Sequence, residues 1–120
     1  MASSKKILIV EDETLTAMML EDRVEEMGLS SVGYCATGEE AVRTARAERP
    51  DLVFMDFRLA GRMDGLEAAR LIHADREAPI VLISRSAART VFERAGGYRP
   101  LAFLSKPIDL DDVDRILGSI

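Results

Sequence analysis

The sequence has one cysteine, one histidine and no tryptophan among its 120 residues. A single cysteine excludes an internal disulfide and a cysteine-rich zinc site, and a single histidine leaves no partner imidazole for a transition-metal site or a histidine relay. No apolar run approaches the roughly 20 residues that span a bilayer. The apolar segment that precedes Glu11 is too short for a secretory signal. We therefore expect a cytoplasmic protein without a membrane segment.

Basic residues are also in short supply: 16 stand against 21 acidic residues, which gives a formal net charge of −5. This balance opposes binding to nucleic-acid phosphates or to an anionic membrane through net charge, so we expect no direct contact with either. The composition, 48% hydrophobic and 31% charged, suits one globular domain. We predict a single domain over residues 1–120, of which residues 1–4 form a flexible tail.

Short apolar runs alternate with helical patterns along the chain. Continuous apolar runs are typical of strands buried on both faces, and apolar residues three or four apart are typical of amphipathic helices. The alternation predicts a doubly wound (βα)5 protein of the α/β class, whose parallel sheet carries helices on both faces. The run that contains Gly33 alternates more, which favours an edge strand. We predict strands over residues 7–10, 31–35, 52–55, 80–83 and 101–104, and helices over residues 13–27, 39–48, 66–74, 87–95 and 110–117.

Residues that carry chemistry follow these strands. In open parallel sheets, ligands bind outside the carboxyl ends of the strands, near the point where strand order reverses. Glu11 and Asp12 follow the first strand, and Asp56 follows the third. Ser84 follows the fourth strand, and Lys106 comes shortly after the fifth. We therefore expect three carboxylates, a hydroxyl and an ammonium to share one crevice.

Three carboxylates in one crevice repel one another, which raises the pKa of at least one of them unless a cation intervenes. Mg²⁺ suits this position because it binds carboxylate oxygens and keeps several waters. A cation beside a free carboxylate favours attack on a phosphoryl group, with Asp56 as the nucleophile that forms an aspartyl phosphate. Lys106 and Ser84 would then contact the phosphoryl oxygens.

The separated positions Glu11-Asp12, Asp56, Ser84 and Lys106-Pro107 together resemble the receiver domain of bacterial two-component response regulators. The resemblance extends over essentially the whole chain and includes residues 51–56 and 63–65. It implies a flavodoxin-like fold with strand order 2-1-3-4-5. It also implies a phosphorylation-dependent signalling switch rather than an enzyme, with Mg²⁺ as cofactor and a sensor histidine kinase or histidine phosphotransfer protein as phosphodonor.

The resemblance assigns the metal ligands. Asp56 is the phosphoacceptor and a ligand, Asp12 binds Mg²⁺ directly, and Glu11 supports the ion through water. The backbone carbonyl of Arg58 is the remaining protein ligand.

The resemblance also assigns the residues that respond to phosphorylation. Ser84 and Lys106 contact the phosphoryl group, and Phe103 occupies the aromatic switch position. Lys106 and Pro107 are expected to be joined by a cis peptide. Phosphorylation would alter the surface formed by the fourth predicted helix, the fifth strand and the fifth helix, where a downstream partner or a second copy of the chain would bind.

Three features depart from the family's common pattern. The loop after Asp56 has an extra residue and lacks the usual proline near residues 59–60. Arg85 occupies a position where a small residue is usual, and with Arg58 it is a candidate modulator of the reaction. Phe103 replaces a frequent tyrosine, so an outward switch state would lack a hydroxyl anchor.

Two other functions fit parts of the same pattern. One is a pseudo-receiver that acts as a constitutive protein-interaction domain. The other is an aspartyl-phosphate hydrolase of the haloacid-dehalogenase type, which normally carries a second aspartate where this chain has Arg58. The chain is either a stand-alone regulator or a receiver that belongs to a longer protein, and its kinase and output are open.

Overall fold

The computed structural model describes residues 4–85, 93 and 98–120, and it confirms the alternation of strands and helices there. The strands are β1 (Lys6–Val10), β2 (Ser30–Cys35), β3 (Leu52–Asp56), β4 (Ile80–Ser84) and β5 (Ala102–Ser105). The helices are α1 (Thr14–Glu26), α2 (Gly38–Glu48), α3 (Gly65–Asp75) and the C-terminal helix α4 (Leu110–Gly118). The helix predicted over residues 87–95 lies outside the described residues apart from Glu93, as do residues 1–3 of the predicted tail.

The described strands form one parallel sheet in the order β2-β1-β3-β4-β5, which confirms the expected topology. The chain runs from β1 outward to β2 and then returns to β3 on the other side of β1. The switch point of the fold therefore lies between β1 and β3, where a ligand site is expected. Val10 and Met55 are register partners there, so the residues that follow them, Glu11 and Asp56, lie at adjacent strand ends.

Side chains of the central strands alternate between two buried layers. Leu8 and Val10 belong to the hydrophobic cluster that includes α2 and α3 residues, whereas Ile7 and Ile9 belong to the cluster with α1 and α4 residues. All four are fully buried. Because both faces of these strands are covered, every position is apolar, which is the physical reason for the continuous runs in the sequence. Within the described residues, no helix has both the length and the hydrophobicity needed to cross a bilayer.

Strand boundaries differ from the prediction in a way that affects the site. β3 and β4 each extend one residue further, so Asp56 and Ser84 are the last residues of their strands and belong to the sheet itself. β5 begins and ends one residue later than predicted, and Leu101, which the sequence placed in the strand, is 54% exposed. An edge strand is covered on fewer sides, so its apolar run marks its boundaries less clearly.

Gly65 begins α3 where this helix approaches the end of β3. Its N–H donates to the Phe57 carbonyl at 2.7 Å, and a Cβ placed on it would lie 2.0 Å from the backbone oxygen of Asp56. Since the obstacle is backbone, we predict that Gly65→Ala lowers the free energy of unfolding by about 3 kcal/mol in urea titrations. Gly118→Ala is the control, because nothing lies within 4 Å of a Cβ there. Equal losses in the two variants would contradict the prediction.

Candidate functional site

A cavity of about 200 Å³ opens at the carboxyl ends of the central strands. The sequence predicted that the site residues lie at this edge of the sheet, and the structure brings most of them together there. Loops that follow β1, β3 and β4, and the segment after β5, each supply part of its wall. The lining residues are Asp12, Glu13, Asp56, Arg58, Ser84, Arg85 and Lys106.

The ammonium of Lys106 joins two carboxylates at the base of this site. Its Nζ lies 2.8 Å from Glu11 Oε1 and 2.8 Å from Asp56 Oδ2. Glu11 is 1% exposed and Asp56 is 4% exposed, so both carboxylates are largely removed from water. Buried charges need partners of opposite sign, and here one cation serves two anions. The cluster therefore keeps an excess of negative charge.

This arrangement alters proton affinities at the site. Burial raises the pKa of Glu11 from its ordinary 4.5 to about 7; the hydrogen bond to Asp56 adds to this effect, and Lys106 opposes it. For Lys106, burial lowers the pKa, but hydrogen bonds and charges from Asp56 and Glu11 outweigh it and leave the pKa raised. Lys106 thus stays cationic at neutral pH, while Glu11 holds its charge only weakly.

The carboxylates are spaced to hold a cation. Glu11, Asp12 and Asp56 each offer one oxygen, and these oxygens lie within 4.8 Å of one another. Such a set of oxygen donors fits Mg²⁺, and the exposure of Asp12 leaves one side of the cluster open to solvent, where bound waters can remain. The N–H of Arg58 donates to Asp56 Oδ1 at 3.2 Å, which orients the central carboxylate.

The remaining predicted residues occupy different positions around this cluster. Ser84 is 5% exposed and lines the cavity, and Arg85 is an exposed residue at its wall. Pro107 follows Lys106 through a cis peptide, as the resemblance implied. Phe103 is half-buried and packs against the hydrophobic cluster shared with α2 and α3; it is not among the described residues that line the cavity.

Glu13 lines the cavity too, although the sequence did not single it out. Its N–H lies 3.5 Å from Glu11 Oε2, and it is the N-cap residue of α1. In the sequence, Glu13 is marked by its position as the third of three consecutive acidic residues, 11–13. That signal is weak, because acidic residues are common at helix starts, where they interact favourably with the helix dipole.

The family model of the response regulator receiver domain matches residues 7–117. This chain belongs to that family. It is 39% identical over 112 residues to the transcriptional regulatory protein PdtaR of Mycobacterium tuberculosis. The matched segment covers 93% of this chain and 54% of PdtaR. The chain therefore spans about half the length of that relative.

Solved receiver structures share the fold. The signal receiver domain of a modulated diguanylate cyclase from Desulfovibrio desulfuricans is 36% identical with a TM-score of 0.87, covering 98% of this chain and 93% of that one. The receiver domain of the sensor histidine kinase PA1611 from Pseudomonas aeruginosa is 30% identical with a TM-score of 0.83, covering 98% and 97%. That receiver was solved with a magnesium ion coordinated in its active-site cleft.

The raised pKa of Glu11 predicts how stability depends on pH in metal-free protein. Because the folded chain binds this proton more tightly than the unfolded chain, the associated stability is complete below pH 4.5 and is lost as the pH rises through about 7. Glu11→Gln has no proton to lose there. We predict that it reduces this loss by on the order of 3 kcal/mol, measured by urea unfolding in EDTA from pH 4.5 to 8.

The control for this measurement is Glu77→Gln, a change of the same charge at an exposed position. Glu77→Gln should keep the pH dependence of the wild-type chain. If Glu11→Gln keeps it as well, the burial argument for Glu11 is wrong.

Proposed function

We propose that this receiver domain is a phosphorylation-dependent signalling switch in which Asp56 accepts a phosphoryl group. The observation that carries the proposal is the contact of Lys106 Nζ with Asp56 Oδ2 at 2.8 Å, inside a cavity also lined by Asp12 and Ser84. A nucleophilic carboxylate, a cation and a hydroxyl thus surround one space that can hold a phosphoryl group. Phosphoryl transfer requires chiefly such positioning and charge neutralisation.

Each of the metal-binding and phosphoryl-contacting residues has its own part in the proposed transfer. Asp12 and Asp56 would hold Mg²⁺ directly, Glu11 would support it, and the carbonyl of Arg58 would complete the protein ligands. When bound, Mg²⁺ supplies positive charge for the phosphoryl oxygens. Lys106 neutralises a further phosphoryl oxygen and keeps the Asp56 carboxylate oriented.

The phosphodonor in this proposal is a phosphohistidine on a sensor histidine kinase or a histidine phosphotransfer protein. An oxygen of Asp56 forms a bond to phosphorus while the phosphorus–nitrogen bond to the imidazole breaks, and the imidazole leaves with the electron pair of that bond. Such a donor takes its phosphoryl group from ATP, so we propose the cytoplasm as the site of action.

The response to phosphorylation would involve Ser84 and Phe103. Ser84 would move toward the new phosphoryl oxygens, and Phe103 would repack against its cluster on the α2 and α3 side. These shifts would alter β5 and α4, which together with the helix predicted over residues 87–95 would form the surface for a downstream partner or a phosphorylation-dependent dimer. No direct contact with nucleic acid is proposed for this domain.

Two observations favour the switch over the alternatives. The acidic cluster and Lys106 are intact, whereas a pseudo-receiver has no need of them. Arg58 stands where an aspartyl-phosphate hydrolase needs an acid or base, and a guanidinium does not lose its proton in this role. We therefore expect transfer to Asp56 and slow self-dephosphorylation rather than multiple turnover.

Phosphorylation of Asp56 is testable with a small phosphodonor. We predict that acetyl phosphate with Mg²⁺ adds one phosphoryl group to the wild-type chain, detected by intact mass, and that hydroxylamine removes it. Asp56→Asn should abolish the added mass. Asp75→Asn, which changes an exposed aspartate that pairs with Arg46, should leave it unchanged. An unmodified wild-type chain, or equal labelling of Asp56→Asn, would refute the proposal.

Arg85 is expected to control the lifetime of the phosphorylated state. Its long side chain lines the cavity wall beside Ser84, where it would hinder the approach of water to Asp56. We predict that Arg85→Ala speeds self-dephosphorylation several-fold, measured as loss of radiolabel after donor removal. Arg85→Met keeps most of the bulk without the charge, and it should stay near the wild-type rate. An unchanged or slower rate in Arg85→Ala would contradict this role.

A further inference from the structure

The loop that follows β3, residues 57–64, is attached at its base to β4 and to the start of α3. The Phe57 N–H donates to the Ile83 carbonyl at 2.8 Å, and the Phe57 carbonyl accepts from Gly65 N–H at 2.7 Å. Arg58, whose carbonyl is a ligand in the proposed function, comes directly after this attachment. These hydrogen bonds at the base do not fix the positions of the six residues that follow Arg58. Those six residues include the position at which the loop is longer than is usual in the family.

A second attachment holds the tip of the same loop against the start of α2. Glu39, in the first turn of α2, accepts a hydrogen bond on Oε1 from Met63 N–H at 3.1 Å. Its other oxygen lies against the loop backbone, because a Cβ built on Gly61 would be only 2.8 Å from Glu39 Oε2. Gly61 has a φ of +89°, so a side chain is disfavoured at this point of the loop.

Backbone and side-chain packing reinforce this attachment. Thr37 and Ala60 form an isolated parallel bridge just before α2. The Met63 side chain lies over Gly38, where an added Cβ would be 3.1 Å from Met63 Cβ. Glu39 thus supplies the charged hydrogen-bond acceptor at a contact between the start of α2 and the loop, and it lies 24 residues from Met63 in the sequence.

We propose that Glu39 is a positioning residue that holds the loop over residues 57–64 so that the Arg58 carbonyl is directed at Mg²⁺. This inference rests on the proposed function, since it concerns the metal ligand at residue 58. Glu39 acts through the loop and does not touch the acidic cluster itself. Groups that orient metal ligands from a distance affect affinity strongly because a misdirected carbonyl contributes little to binding.

The first test is a titration of the full chain with Mg²⁺ alone, by calorimetry. We expect Glu39→Ala to weaken Mg²⁺ binding about tenfold or more. Glu39→Gln retains an oxygen that can accept from Met63 N–H, so it should restore affinity close to that of the wild type. Glu40→Ala is the matched control: it removes the same charge from the same helical turn, but Glu40 contacts Ala36 N–H and not the loop.

A second pair of variants approaches the contact from the loop. Gly61→Ala places a methyl group against the Glu39 carboxylate in a backbone conformation of positive φ, and it should weaken Mg²⁺ binding as Glu39→Ala does. Gly33→Ala provides the control, because its φ is +99° and nothing lies within 4 Å of an added Cβ. It imposes comparable backbone strain without the contact and should leave Mg²⁺ affinity unchanged.

Hydrogen exchange of metal-free protein supplies a readout that does not depend on the ion. We expect the Met63 amide to exchange about tenfold faster in Glu39→Ala and to remain protected in Glu39→Gln and Glu40→Ala. Wild-type affinity in Glu39→Ala and Gly61→Ala, with or without faster exchange, would overturn the positioning role and leave the proposed function standing. A wild-type chain that binds no Mg²⁺ would overturn both.

Discussion

The contact of one ammonium with two buried carboxylates is the constraint on which the site depends. Lys106 lies 2.8 Å from Glu11 and from Asp56, and neither acid has substantial access to water. Without Lys106, no opposite charge would compensate the two carboxylates in this desolvated space, and keeping both of them ionised would cost several kcal/mol. With Lys106 present, the chain can fold with both carboxylates buried. The cluster still retains negative charge that a divalent cation can neutralise. The same arrangement of one ammonium and two carboxylates therefore stabilises the folded site and leaves it able to bind a metal ion.

The order of the strands in the sheet brings Lys106 close to the two carboxylates. Lys106 and Glu11 are 95 residues apart in the sequence, and Lys106 and Asp56 are 50 apart. The parallel order β2-β1-β3-β4-β5 places the ends of β1 and β3 side by side at the switch point, and the segment after β5 reaches across β4 to meet them. Two hydrophobic layers hold the strands in this order, so the geometry of a polar site is fixed by apolar packing on both sides of the sheet.

The sequence predicts much of this because strong local signals accompany the parts that matter. The run over residues 52–55 is apolar at every position because the strand is buried on both faces, and Asp56 is conspicuous as the acid that ends it. Other features depend on paths through space. Glu39 has a local reason to stand in the first turn of a helix, so its contact with a distant loop leaves no separate mark in the sequence. The packing of Phe103 also follows only from the assembled layers.

The role of Asp56 as phosphoacceptor beside Lys106 is best tested by a crystal structure of the chain grown with Mg²⁺ and beryllofluoride, a mimic of the phosphoryl group. We expect beryllium bonded to a carboxylate oxygen of Asp56, Mg²⁺ held by Asp12 and Asp56, and Lys106 Nζ in contact with a fluorine. Beryllofluoride bound elsewhere with Asp56 unmodified, or a Lys106 side chain directed away from the acceptor, would contradict it.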